Sequence, residues 1–147
     1  MPTLIIGYGN RLRGDDGAGC RAAELLRERL TAAKFEVLVL HQLTPELMEE
    51  ISRARRVIFI DAAAEGPPGE VRRQELTTSA APAAFMHVAN PAALLGGAAA
   101  LYGSSAPGVL YSIAGESFGY GEQLTPAVER AVSELVTAIE NSAIGSD

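Results

Sequence analysis

The chain has 147 residues, 48% of them apolar and 20% charged, a balance that suits one domain with a sizeable core. Its net charge of -6 argues against nucleic acid or an anionic membrane surface as partner, because both need clustered Lys and Arg. No apolar run approaches the ~20 residues that cross a bilayer, no signal peptide is read at the start, and the single cysteine, Cys20, leaves no internal disulfide, so the expected location is the cytoplasm.

Thr3–Gly7 reads as a buried strand. The glycine-rich stretch GYGNRLRGDDGAG follows, from Gly7 to Gly19. Asp16 to about Ala33 is expected to be a helix, with Ala22, Leu25, Leu26 and Leu30 on one stripe. Phe35–Leu40 is a second strand, rich in apolar and β-branched residues. Thr44 and Pro45 give the N-cap and first-position signals of a helix ending near Ala54. Arg56–Asp61 is a third strand, apolar until its final acid.

Glu65–Gly69 is a turn by composition, and Glu70–Leu76 alternates like an exposed edge strand. Thr77–Ala84 has no periodicity and reads as a loop. Pro91–Tyr102 is a helix capped by Asn90, and Gly108–Gly115 is a buried strand. Glu116–Gln123 is a glycine-rich loop, and Thr125-Pro126 opens a last helix that runs to about Asn141. Strands alternating with long helices imply a single-domain, three-layer αβα sandwich. Its sheet is expected to be mostly parallel and five-stranded, with one edge strand.

In such sheets ligands bind beyond the carboxyl ends of the strands. Asp16 follows the first strand through the glycine turn, His41 and Gln42 follow the second, and Asp61 ends the third. Asp15 and Asp16 also suit plain helix capping, and Asp61 suits an Asx-turn. A dinucleotide fingerprint fails, because Leu12 stands where its third glycine belongs, and no Walker A loop occurs. His87, before the Asn90 cap, can join two carboxylates in a three-ligand metal set with open positions, with His41 as its competitor. HExxH and Gly-x-Ser-x-Gly are both absent. Cys20 reads as a small packed core residue.

GYGNRLRGDDGAG after the first strand, then VIFIDA, then a His before a Pro-x-x-Leu-Leu helix, resembles the hydrogenase maturation endopeptidases. HQLTPEL, LLGGAAALYG and SFGYGEQLTPAV extend the likeness over nearly the whole chain. The resemblance implies a protease that removes a C-terminal extension from the large-subunit precursor of a nickel–iron hydrogenase, after nickel is inserted. It carries the metal ligands over to Asp16, Asp61 and His87, with Gly9, Asn10, Asp15, His41 and Gln42 toward the substrate. The metal is then nickel supplied by the substrate, with zinc or another divalent ion possible in the isolated protein. No separate general base stands out: Asp15, His41 or a carboxylate ligand has to serve. Two other readings stay open: a non-catalytic α/β module binding a metal or nucleotide, and a metal-dependent hydrolase of small molecules.

Overall fold

The computed structural model describes residues 1–77 and 90–145. Strands and helices alternate as β1 (Thr3–Tyr8), α1 (Ala18–Arg29), β2 (Phe35–Leu40), α2 (Leu47–Ser52), β3 (Arg56–Ala63), β4 (Val71–Leu76), α3 (Pro91–Tyr102), β5 (Gly108–Ala114) and α4 (Pro126–Gly145). The sheet has the order β2-β1-β3-β5-β4. Its first four strands in that order run parallel, and β4 joins β5 antiparallel at the edge. This is the expected α/β sandwich, edge strand included. No helix among the described residues is long and apolar enough to cross a membrane.

Period-two alternation sends each strand's side chains to two separate cores. Ile5, Ile58, Ile60 and Ile113 meet α1 through Ala22 and Leu26, and α4 through Val128, Val132 and Val136. Leu4, Ile6, Val57 and Phe59 meet α2 through Leu47 and Ile51, and α3 through Leu94, Leu95 and Ala98. Each fully buried Leu, Ile or Phe contributes about 1.5–3 kcal/mol, so both helix layers stabilise the sheet. Helix α3 matches its expected limits. The Asn90 side chain accepts the Ala93 N–H at 2.8 Å, and Gly103 ends the helix in the left-handed region with φ 79.

Helix α1 seats directly on the sheet backbone because glycine leaves room. A Cβ on Gly19 would stand 2.2 Å from the Ile60 carbonyl oxygen, and one on Gly7 would stand 2.2 Å from the Gly19 carbonyl oxygen. Alanine at position 19 raises helix propensity by about 1 kcal/mol. The clash is with backbone, which cannot rotate away, and overpacking of this kind costs about 1–3 kcal/mol or more. Gly19→Ala is therefore expected to lower the urea midpoint, and a raised midpoint would contradict this packing.

Three of the helices differ from the sequence expectation in their bounds. The first helix is split: Gly14–Gly17 forms a 3₁₀ turn, and α1 ends at Arg29, after which Leu30 is extended (φ -101, ψ 150). Long-range bonds shape that turn, with Gly14 N–H donating to the Gly121 carbonyl and Asp15 N–H to the Ser117 carbonyl. The helix after Thr44 is shorter than expected, because the Thr44 hydroxyl donates to Glu46 and the chain enters α2 through a turn. The final helix continues past Asn141 to Gly145. The expected loop at Thr77–Ala84 lies outside the described residues apart from Thr77.

Candidate active site

The glycine turn leaves β1 at the carboxyl edge of the sheet and returns into α1. Gly9 takes φ 145, and a Cβ there would stand 2.2 Å from the Asp16 carbonyl oxygen, so only glycine lets the turn fold back on Asp16. The next amide, Asn10 N–H, donates to Asp16 Oδ2 at 2.7 Å. Asn10 itself closes an Asx-turn, its Oδ1 accepting the Leu12 N–H at 2.9 Å. Gly9 and Asn10 thus build the corner that fixes one carboxylate oxygen of Asp16.

Consecutive side chains of a 3₁₀ turn point about 120° apart, so Asp15 and Asp16 diverge. Asp15 turns inward and is fully buried. Its carboxylate accepts the N–H groups of Glu116 (2.8 Å), Ser117 (3.1 Å) and Thr125 (2.7 Å), and the Thr125 hydroxyl (2.8 Å). Burial alone pushes its pKa up, but these hydrogen bonds outweigh burial and hold the carboxyl below its ordinary value. The capping expectation is corrected accordingly: no side chain caps the turn or α1, and Asp15 binds the loop between β5 and α4 instead. Asp15 is also corrected as a substrate-contact candidate, since a solvent-free carboxylate with four donors has no face left for a peptide.

Asp61 does not end its strand. β3 runs on to Ala63, paired with β5, while β1 stops at Tyr8. Asp61 therefore sits where the sheet narrows, beyond the end of β1, and shares its face with the second core. Burial pushes its carboxyl up to about 6, and the nearby charge of Asp16 adds to the rise, while the Tyr8 hydroxyl and the Ala62 N–H donate to it and restrain it. Burial, with the Asp61 charge beside it, likewise drives the Tyr8 phenol well above its ordinary range. Asp16 and Asp61 are thus two half-buried carboxylates in electrostatic contact at one edge. Such a pair favours a bound cation, which removes the repulsion.

The other candidates divide. His41 and Gln42 are exposed just after β2, at the same carboxyl edge. His87 lies outside the described residues, and among those described no group of three metal-ligating side chains forms. Tyr8 is the site residue that the sequence reading missed. Its place one step past Gly7, beside an acid one step past Ile60, was the available signal. Cys20 is buried beneath the turn, its thiol facing the carbonyls of Leu40 (3.4 Å) and Gly9 (3.6 Å). Burial pushes that thiol up to about 11, which makes it a packed, inert group. A cavity of about 70 Å³ opens at the far end of the sheet, around Thr3, Arg55 and Tyr111, and is too small and too distant to be part of this chemistry.

No protein-family model matches the sequence, and no curated protein is significantly similar to it. Solved structures are similar along nearly the whole chain. A [NiFe] hydrogenase maturation protease HycI from Thermococcus kodakarensis superposes with TM-score 0.77 at 23% identity, over 95% of this chain and 90% of that one. A hydrogenase 2 maturation peptidase from a Thaumarchaeota archaeon gives 0.75 at 25% identity, over 100% of both chains. A [NiFe] hydrogenase maturation protease HybD from Thermococcus kodakarensis gives 0.69 at 25% identity, over 97% of this chain and 99% of that one. The family to which the sequence motifs pointed is the family of these structural neighbours.

Proposed function

We propose that this chain, which shares its fold end to end with hydrogenase maturation proteases, is an endopeptidase that removes the C-terminal extension of a nickel–iron hydrogenase large-subunit precursor. The observation that carries the reading is the meeting of Asp16, from the turn after β1, and Asp61, from within β3, at the carboxyl edge. Hard carboxylate oxygens with a histidine suit nickel or zinc. His87 precedes α3, whose first residue, Pro91, lies at that same edge, since the helix must run back to the start of β5. In this reading Asp16, Asp61 and His87 meet nickel already held by the precursor, and cutting follows only on metallated substrate.

In this reading each residue has a part. Gly9 and Asn10 hold Asp16 at a fixed angle through a single backbone hydrogen bond. The Tyr8 hydroxyl holds Asp61 by a hydrogen bond, with Asp16 close enough for its charge to be felt. Bound nickel supplies Lewis acidity toward the scissile carbonyl. Asp15, buried and fully engaged, does not serve as general base, which leaves that part to His41 or to one of the two site carboxylates.

Incubation with nickel-loaded and nickel-free precursor tests the reading by product mass. Loss of the extension from the loaded precursor alone is expected. Cutting of both forms removes the checkpoint, and mass loss from neither favours a binding module.

A further inference from the structure

The sheet register places five side chains in one row across the carboxyl end. Leu40 pairs with Tyr8, Asp61 with Ser112, and Ser112 with Arg72. Directly paired residues share a face, and this is the face of Leu4, Ile6, Phe59 and Leu110, against which α2 and α3 pack lower down. Toward β4 the face carries an open trough of about 400 Å³. Ala63, Ser112 and Ala114 form its floor, and Glu70, Arg72 and Gln74 line its far side. The Arg72 side chain is 69% exposed, yet Glu70 Oε1 accepts its Nε–H at 2.8 Å and so fixes the direction of the guanidinium.

From this geometry we infer that the trough is a substrate subsite: it takes an extended peptide segment leading away from Asp61, and Arg72 meets a carboxylate on it. The inference rests on the endopeptidase reading and extends it to the substrate. Neighbouring strands lie about 4.8 Å apart, so Arg72 on β4 stands about 10 Å across the sheet from Asp61 on β3. An extended chain advances about 3.3 Å per residue, which puts the carboxylate roughly three residues from the bond held at Asp61. The floor residues are short, so a backbone can lie close to the sheet. A planar guanidinium with its Nε already engaged still offers its terminal N–H groups as a fork, the geometry that carboxylates bind.

The carboxylate can be an acidic side chain or a free chain end, and two nickel-loaded precursors distinguish them. One carries Asp or Glu about three residues past the bond, and the other ends there. Arg72→Gln is expected to raise KM about tenfold for whichever precursor supplies the group. A third precursor with an amide at that place should show no such rise. Arg73 is the control, because it pairs with Tyr111 and faces the opposite side of the sheet. Arg73→Gln is expected to leave KM unchanged. An unchanged KM for Arg72→Gln with both carboxylate precursors overturns the subsite, as does an equal rise in the two variants, which would reflect net charge alone. Failure of the wild-type protein to cut any loaded precursor is a different result, and it removes the endopeptidase reading itself.

Discussion

Asp15→Ala is expected to destabilise the fold by about 3–5 kcal/mol, the range for removing one partner from a buried charged network. Four donors lose their acceptor at once: the amides of Glu116, Ser117 and Thr125, and the Thr125 hydroxyl. Each unsatisfied buried donor costs about 1–3 kcal/mol, and local relaxation toward water recovers part of the sum. Urea unfolding measures the loss directly. The pH dependence has a definite sign. The folded carboxyl is held below the ordinary 3.8, so its stabilisation is present in full above that value and is lost as the pH falls through the folded value. Asp15→Asn removes this titration while keeping the shape. The stability gap between wild type and Asp15→Asn should therefore close below 3.8, and a gap that widens on acidification would contradict the assignment.

Asp16 one residue later should behave in the opposite way. Asp16→Asn keeps an oxygen for the Asn10 N–H, so the turn survives and the melting midpoint should move by only a few degrees. The negative charge that faces Asp61 is gone, however. Processing of the nickel-loaded precursor is expected to fall by about 10²–10³-fold or more, the scale for losing a preorganised electrostatic group. His87→Ala should have the same consequence if that histidine completes the set. Mass spectrometry of the precursor over time reads both. Wild-type trimming rates in the folded variants would show that the chemistry lies elsewhere.

Adjacent acids with such different fates explain what the sequence could and could not reveal. Short apolar runs marked the buried strands and alternation marked β4 as an exposed edge strand, because burial is a local property of a strand's two faces. The Asn90–Pro91 pair marked α3 because a cap and its helix are neighbours in the chain. The paired acids were visible, but their division of labour was not. Asp15 is committed by donors about a hundred residues away, at Glu116 through Thr125, and no window of sequence contains both ends. The same holds for Thr125, whose cap signal was legible while its hydroxyl's donation to Asp15 was not. Tyr8 drew no notice inside the glycine-rich stretch until the register set it beside Asp61.

That separation along the chain also has a consequence in time. The glycine turn is translated early, but its shape depends on amides that emerge from the ribosome about a hundred residues later. Chains grow at roughly 5–20 residues per second, so β1 and the turn wait many seconds for the segment that sets them. A nascent or truncated chain that lacks Thr125 keeps the Asn10–Asp16 bond but loses the Asp15 anchor that holds the turn in place. The corner that carries Asp16 thus takes its working form only after Thr125 has been made, about a hundred residues later.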